Sequence, residues 1–538
     1  MALRAAALAA LLLALPGAAP AELPQGWTQA ERELWWNSPQ GSRIMPYDWF
    51  LKLEAADAPG LFAAPAHMAR YGYLPSPAGA TALNPGALPI GFAREQGGAG
   101  EAWVGMTCAA CHVGALAYKG QSMLIDGAGA MVDTQGFDRD LSAALAAAAA
   151  DDARFTRLAD ALGAPSAARD APGAPEAGRE ALRERLRAVA GERAAYTAMN
   201  TPPHDHGPGR VDALGAIMNA LASTALGKPA NARAPDAPVR LPWVWNSTSY
   251  SRVQYNGSIS NAGLGPLLRN VGEALGVYGT VDLAKPGPGY PSSVNVAGLE
   301  GLETLLGKLE PPAWPAELLP PIDKARAGRG GAVFAQACAS CHQPGARDAN
   351  GLSPVMLVPL DQVGTDAKAA RNFMARPADA GMLEGRPVAV FGGPAFGPRT
   401  GAATIVGHVS TAVLAQLPRE KLQAGLGSYR AAIAASPARL DAYKAVPLAG
   451  AWASPPYLHN GSVASLQQLL VPPGQRAARF TVGGRDYDLA LVGYPADTAA
   501  PGYVMDTTLP GNANTGHDYG TTLPEGEKAD LVEYLKTL

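Results

Sequence analysis

Apolar residues recur at intervals of three and four positions along much of this 538-residue chain. This spacing is the mark of an amphipathic helix, because it places the apolar side chains on one face. It predicts helices over these stretches: 137–162, 177–197, 212–222, 267–275, 325–337 and 527–538. Only a short stretch around 116–125 is favoured as β structure. The pattern therefore predicts a mainly α-helical protein with little β structure.

The stretches between these helices are rich in Gly and Pro, of which the chain has 62 and 48. Such residues mark turns and irregular connections. We predict an N-terminal arm over residues 22–100 that is mostly irregular and rich in aromatic residues, and a linker over residues 282–322. We expect the arm's aromatic side chains, such as Trp35 and Trp36, to pack onto the body of the protein rather than to contact a substrate, since large aromatics mostly bury area.

The first residues have the pattern of an export signal. Arg4 precedes an apolar run over 5–15, and Ala19-Pro20-Ala21 fits the small-x-small cleavage site. We therefore expect residues 1–21 to be a signal peptide that is cleaved after Ala21, and a periplasmic or secreted mature protein. No later apolar run is long enough to predict a membrane span. The net charge of −3, without a basic stripe, gives no indication of nucleic-acid binding.

Two copies of one short motif contain every cysteine of the chain. Cys108 and Cys111 are followed by His112, and Cys338 and Cys341 are followed by His342. Two thiols three positions apart with a histidine directly behind them are typical of c-type haem attachment. The thiols take up the vinyl groups and the imidazole binds the iron. The motifs thus predict two covalently bound haem c groups, with His112 and His342 as iron ligands.

Other uses of paired cysteines fit this sequence less well. A structural zinc site usually has its two pairs close together, whereas Cys111 and Cys338 are 338 − 111 = 227 positions apart. A thioredoxin-like redox pair has no need of a trailing histidine in both copies. We therefore predict two cytochrome c-like haem domains joined by long irregular connections. The first haem c domain, with the inter-haem segment, spans 101–281, and the second spans 323–538.

The residue on the other face of each iron decides the chemistry, because an open face can bind peroxide or oxygen. For the second haem, His517 lies in a glycine-rich loop shortly before the predicted C-terminal helix, where small cytochromes c place this ligand. His459 in a tight turn is the alternative, and Met505 is a further candidate that would give a higher potential. Each histidine could instead have a hydrogen-bonded structural role.

For the first haem, the sequence offers no ligand of comparable quality. His67, His204 and His206 are possible, but we favour an open or weakly ligated iron that faces the segment 241–261. An amide group near an open face could polarise bound peroxide or oxygen. Asn256 and Asn261 are the candidates for this catalytic role.

The segments WVGMTCAACH, GGAVFAQACASCH, PPYLHNGS and GNANTGHDYG occur in this order. With them the chain resembles the di-haem cytochrome c peroxidase superfamily, and within it the branch that contains the bacterial rubber oxygenases. The resemblance covers roughly residues 26–538. It implies that the N-terminal haem is the reactive one and that the C-terminal haem relays or stores electrons. The rubber-oxygenase branch also implies a second histidine on the C-terminal haem, in agreement with His517.

These features together predict an exported di-haem c-type cytochrome that is a redox enzyme. Peroxide or dioxygen would react at the His112 haem, and electrons would pass through the His342 haem. The electrons would come from a small redox protein or a small-molecule donor. The alternative is a non-catalytic periplasmic electron carrier in which both irons have six ligands.

Overall fold

The structure, a computed structural model, describes residues 20–163, 174–285, 289–342, 345–390, 392–436 and 439–538. Helices account for 41% and strands for 15%. The α-helices are α1 (Gln29–Asn37), α2 (Tyr47–Lys52), α3 (Pro65–Met68), α4 (Thr134–Ala150), α5 (Asp152–Ala161), α6 (Ala174–Met199), α7 (Ala213–Met218), α8 (Gly265–Gly276), α9 (Val296–Leu306), α10 (Lys324–Ala337), α11 (Ala339–His342), α12 (Leu360–Val363), α13 (Lys368–Ala375), α14 (Ala402–Leu414), α15 (Arg419–Ala435), α16 (Leu466–Leu469) and α17 (Glu525–Leu535).

The strands are short and form small sheets. They are β1 (Ala21–Glu22), β2 (Met45–Pro46), β3 (Phe92–Gln96), β4 (Ala102–Met106), β5 (Val113–Tyr118), β6 (Gln121–Asp126), β7 (Arg210–Val211), β8 (Val239–Arg240), β9 (Arg252–Val253), β10 (Ile259–Ser260), β11 (Met356–Pro359), β12 (Pro377–Asp379), β13 (Pro387–Ala389), β14 (Gly392–Ala395), β15 (Arg399–Gly401), β16 (Ala442–Ala445), β17 (Arg479–Val482) and β18 (Tyr503–Asp506). Two sheets have three strands, in the orders β1-β6-β5 and β2-β4-β3, and the others are pairs.

The prediction of a mainly α protein with two cytochrome c-like domains is wrong, because the fold is mixed. Strands of two to six residues satisfy the backbone groups of connections that look irregular in the sequence, and such short strands leave little alternation to detect. One hydrophobic cluster also spans both halves of the chain. It joins Ala109 and Val113, next to the first motif, to Phe334 and Leu531 of the second half. Residues around the two motifs therefore share one hydrophobic cluster, and the domain bounds 101–281 and 323–538 stay predictions.

Several helices lie where the periodicity predicts them. The stretch 137–162 forms α4 and α5, divided at Asp151, whose carboxylate accepts a hydrogen bond from Arg154 N at 2.8 Å and so begins α5. The stretch 177–197 lies within α6, and 267–275 lies within α8. Residues 116–125 form most of the β5–β6 hairpin, which directly follows His112. Residues 1–19 of the expected signal peptide lie outside the described residues.

Helices α10 and α17 pack directly on one another. At Gly330 the backbones come so close that a Cβ atom would lie 1.9 Å from Asp530 O. The rings of Phe334 and Tyr534 meet at a centroid distance of 5.2 Å, and Arg329 pairs with the Asp530 carboxylate. These contacts with α17 hold α10, the helix that precedes Cys338, in place.

Most aromatic residues of the N-terminal arm are buried in the core, as expected. Trp35, Trp36 and Phe50 have almost no exposed surface. The indole of Trp36 donates a hydrogen bond at 2.7 Å to the Asp126 carboxylate at the end of β6. The expected linker contains the helix α9, which buries Leu299. In the part of the chain that the structure covers, no helix is long and apolar enough to cross a membrane.

Candidate functional site

The first cysteine–histidine motif forms a single tight turn. Cys108 begins a 3-10 turn, and the Thr107 hydroxyl caps it by accepting a hydrogen bond from Ala109 N at 3.1 Å. The amide of His112 donates to Cys108 O at 3.0 Å. Local hydrogen bonds thus bring both thiols and the imidazole together, as attachment of one haem requires.

The His112 imidazole is prepared to bind a metal. Its Nδ1 lies 2.9 Å from Pro242 O, so this nitrogen donates and the lone pair is left on Nε2. Burial, and secondarily the charge of Arg269, lowers the pKa of His112 to about 4, which keeps the ring neutral. Burial likewise raises the pKa of both Cys108 and Cys111 to about 12. A neutral imidazole beside two buried thiols fits covalently attached haem c.

The second motif repeats this arrangement at the end of α10 and in α11. The amide of His342 donates to Cys338 O at 3.0 Å, and its Nδ1 lies 2.7 Å from Val446 O. Burial lowers the pKa of His342, so this ring is also neutral. The residues of the second motif therefore fit a second haem c equally well.

His517 lies opposite His342. The two ring centroids are 6.2 Å apart and the rings are inclined by 50°. Two imidazoles that bind one metal ion from opposite sides, at about 2 Å each, have centroids about 6 Å apart. Burial lowers the pKa of His517 to about 4. The two neutral imidazoles are the residues that would hold the iron of the second haem.

Arg476 holds the loop that carries His517. Its guanidinium donates hydrogen bonds to the carbonyl oxygens of Asn514, Gly516 and His517 at 2.7–3.0 Å, and to two carbonyls near α16. His517 N also donates to Val363 O at 2.7 Å, and the residue has a left-handed φ of 48°. The position of the imidazole is therefore determined by several contacts.

The tight turn of the PPYLHNGS segment packs against the same loop. Asn460 Nδ2 donates to Gly511 O and Ala513 O at 3.2 and 3.0 Å, and the Ser462 hydroxyl donates to Ala513 O at 3.0 Å. Arg210, which is buried, donates to Asn512 Oδ1 at 2.6 Å. These hydrogen bonds hold the PPYLHNGS turn and the loop that carries His517 together.

The alternative ligands of the second iron have other surroundings. His459 stacks on Tyr443 at a centroid distance of 4.0 Å and an angle of 24°, and its carbonyl accepts from Arg240 N. Burial lowers its pKa to about 3. Met505 is fully buried in β18 within the hydrophobic core. Among the ring contacts of the described residues, His342 meets His517 and not His459.

The first motif has charged neighbours that the sequence reasoning missed. After burial, the charge of Glu273 raises the pKa of both Cys108 and Cys111. The charge of Arg269 lowers the pKa of both Cys108 and His112. Glu273 accepts a hydrogen bond from Gln254 Nε2 at 2.9 Å. Arg269 and Glu273 stand four positions apart in α8, whose other residues are mostly buried and apolar. Two charges on such a helix are a signal that could have identified them.

Lys444 in β16 completes this charged group. Burial, and then the nearby charge of Arg269, lowers the pKa of Lys444 to about 7. Its ammonium lies 6.0 Å from the centroid of the Tyr250 ring. Arg269 also pairs with Glu303 at 2.6 Å. Val446, the partner of His342, directly follows β16, so this segment connects the surroundings of Arg269 with those of the second motif.

The two asparagines that the sequence suggested hold the loop in which they lie. Asn261 Nδ2 donates to the carbonyls of Ser247 and Tyr250 at 2.6 and 2.8 Å. Asn256 Oδ1 accepts from Ser258 N at 3.1 Å. Gln254, from the same segment, is the amide that contacts the charged group. A catalytic role for Asn256 and Asn261 stays a prediction.

The other candidate histidines of the first site lie among different partners. His67 Nδ1 is 2.9 Å from Phe62 O, and the ring packs against Phe62. His206 Nδ1 is 3.0 Å from Gln135 Nε2, and His204 lies beside it at a centroid distance of 6.4 Å. In the described ranges, the His112 ring has no contact with a second imidazole, in contrast to the His342 ring.

Comparisons with known proteins agree with this geometry. Residues 442–481, which include β16 and the PPYLHNGS turn, match a family model described as RoxA-like, cytochrome c-like. This match identifies a c-type cytochrome with haem c and supports the rubber-oxygenase-like branch, but it does not confirm the di-haem peroxidase superfamily.

Two proteins of Sinorhizobium fredii are similar to the chain. Uncharacterized protein y4iJ is 32% identical over 585 aligned residues, which cover 96% of this chain and 93% of that protein. Uncharacterized protein y4iM is 28% identical over 331 residues, which cover 55% of this chain and 64% of that protein.

Proposed function

The chain belongs to the same family as the Sinorhizobium fredii protein y4iJ, and from this premise we propose that it is an exported di-haem c-type cytochrome with an enzymatic first site. Peroxide or dioxygen is the oxidant at the His112 site, and the His342 site moves electrons. A small redox protein or a small-molecule donor supplies these electrons. When bound, haem c supplies an iron that exchanges electrons, and that binds such an oxidant where one face is open.

The difference between the two sites carries this proposal. The ring centroids of His342 and His517 lie 6.2 Å apart, so both imidazoles would hold the iron of the second haem, which favours an electron-transfer role. His112 has no such partner among the described residues; the charges of Glu273 and Arg269 act on its motif instead, and Lys444 lies near Arg269. Ionisable groups with shifted pKa values around a metal-binding motif are typical of an active site.

We assign proton transfer at the first site to Glu273. Burial raises the pKa of this carboxyl above its usual range, which makes it a stronger base than an exposed carboxylate. Gln254 orients the carboxyl through the 2.9 Å hydrogen bond. Arg269 offsets its negative charge and is itself paired with Glu303, which fixes the guanidinium. The buried Lys444 is a second group that can exchange a proton.

The number of haems is tested by the mass of the purified protein. We expect two covalent haems in the native chain, one in a Cys108→Ala/Cys111→Ala variant and one in a Cys338→Ala/Cys341→Ala variant. A native protein with a single haem would refute the di-haem proposal. Sequencing of exported material tests localisation, and we expect the mature chain to begin at Glu22.

The reactivity of the first site is tested by optical and EPR spectra of the holoprotein with and without peroxide, cyanide or carbon monoxide. We expect one low-spin haem that does not respond and one haem that binds these ligands. If both haems are low-spin and inert, the protein is the electron carrier of the alternative hypothesis. If one haem binds these ligands, oxygen consumption distinguishes two enzymes. An oxygenase consumes oxygen without an added donor, whereas a peroxidase needs a reduced donor.

A further inference from the structure

A cavity of about 360 Å³ lies between α8 and α14, beside the first site. Its walls are largely apolar and include Ile217, Leu268, Phe373 and Val406. Small-molecule pockets have volumes of about 300–1,000 Å³ and are mostly apolar with a few polar groups. The cavity is therefore of a size for a small organic molecule rather than for a macromolecule.

Two hydroxyl groups of the cavity have no partner. Ser258 Oγ and Ser410 Oγ are buried and make no hydrogen bond to any described residue. A serine in a helix commonly bonds the carbonyl four positions earlier, but Ser410 in α14 does not. Buried polar groups are almost always paired, so two unpaired hydroxyls on one cavity indicate a missing polar partner.

Other polar groups of the cavity already have partners. The imidazole of His408 contacts Val388 O at 2.9 Å and the hydroxyl of Tyr290 at 3.1 Å. Arg269 has its charge offset by Glu303. A negatively charged ligand is therefore not required. The two serines instead favour a neutral molecule with one oxygen function, which could both donate to and accept from a hydroxyl.

The cavity is connected to the first site through shared residues. Gln254 and Arg269 line it. Gln254 donates a hydrogen bond to Glu273, and the charge of Arg269 lowers the pKa of His112. The three residues of the haem motif itself are not among the lining residues. Gln254 links the wall of the cavity to Glu273 through its hydrogen bond of 2.9 Å.

We propose that this cavity binds the organic substrate of the first site, a small, neutral, largely apolar molecule that carries a hydroxyl or carbonyl group. This role rests on the proposed function of the first haem site. The apolar walls hold the hydrocarbon part, Ser258 and Ser410 bind the oxygen, and Gln254 and Arg269 connect the pocket to the reacting end.

The test is a calorimetric titration of the holoprotein with 1-octanol, 2-octanone and octane as probes. We expect the two oxygenated probes to bind at least tenfold more tightly than octane. Ser410→Ala should weaken them three- to tenfold and leave octane unchanged. Val406→Phe, which fills the cavity, should weaken all three tenfold or more, with the haem spectrum as the check of folding. Ser428→Ala, at an exposed serine of α15, is the matched control and should have no effect.

The pocket is refuted if no probe binds, or if Val406→Phe and Ser410→Ala bind the probes as the native protein does. Equal affinity for octane and 1-octanol would overturn the part assigned to the serines. Cyanide binding is measured on the same samples. A holoprotein that binds cyanide but no probe would overturn the pocket alone, whereas one that binds the probes but not cyanide would overturn the proposed function of the haem site.

Discussion

His342 and His517 face one another with their ring centroids 6.2 Å apart, although most of the second half of the chain separates them in sequence. Each ring is held independently. Val446 O fixes the first at Nδ1, and the backbone of the second donates to Val363 O. This preorganisation means that little rearrangement is needed for both to bind one metal.

Substitution of His517 should change the second haem. In His517→Met we expect a higher reduction potential and loss of the EPR signal of a bis-histidine haem, because methionine ligation raises the potential. His459→Gln is the comparison, since it removes the other candidate imidazole. It should leave the potential unchanged and cost about 1 kcal/mol of stability through the lost stacking on Tyr443. A spectral change in His459→Gln alone would transfer the ligand role to His459.

Arg476 should contribute strongly to the stability of the ligand loop. Arg476→Gln leaves five carbonyl groups without their charged donor, and we expect a loss of about 2–4 kcal/mol in the free energy of unfolding. Arg479→Gln is the matched control, because Arg479 is exposed and its ion-pair partner among the described residues is Asp506. It should change the stability by less than about 0.5 kcal/mol. Urea unfolding measures both, and equal effects would contradict the anchoring role.

Lys444 should make the stability depend on pH. Its pKa falls from 10.5 to about 7 on folding, so between these values the unfolded chain binds a proton that the folded chain does not. The free energy of unfolding therefore rises with pH from about 7 to 10.5. Lys444→Met lacks this dependence and should be more stable than the native protein below pH 7, by on the order of a few kcal/mol, with no difference above pH 10.5.

The control for this measurement is Lys421→Met, at an exposed lysine that pairs with Glu300. Its effect should be small and should not vary between pH 6 and 10. Urea unfolding at pH 6, 8 and 10 compares the two variants with the native chain. A Lys444→Met protein that is less stable than the native protein at pH 6 would show that the ammonium is well compensated in its buried position.

Glu273→Gln tests proton transfer at the first site. We expect the rate with peroxide or dioxygen to fall by about 10²–10⁴-fold, since the amide cannot exchange a proton. The limb of the native pH–rate profile that reports the raised pKa of Glu273 should disappear. Glu300→Gln, on the neighbouring helix α9, is the control and should retain the native rate and profile. An unchanged profile in Glu273→Gln would assign the limb to another group.

Two glycines of α10 provide a test of its packing on α17. Gly330→Ala places a Cβ atom 1.9 Å from Asp530 O, so the helices must separate, and we expect a loss of about 2–4 kcal/mol. Gly328→Ala has no atom within 4 Å and should be neutral or stabilising by up to about 1 kcal/mol, because alanine favours helix. Thermal unfolding followed at the haem absorption measures both. Similar effects would show that the contact is not tight.

Features that depend on neighbours along the chain could be predicted from the amino-acid order. The two motifs need only a single turn to bring Cys108, Cys111 and His112 together, and the helices α4, α5 and α8 follow from periodicity and capping. A glycine-rich loop before the last helix also made His517 the favoured candidate. Such features arise from interactions over a few residues, which the amino-acid order states directly.

The contacts between distant segments could not be predicted in this way and became visible in the folded protein. The short strands, the hydrophobic cluster shared by both halves and the position of His517 near His342 depend on packing between residues far apart in sequence. The same holds for Arg269 and Glu273, whose charges act on the first motif, and for Lys444, which lies near Arg269; all three resemble ordinary charged residues until folding removes them from water. Burial and long-range contact change the chemistry of a side chain, and neither can be read from its immediate neighbours.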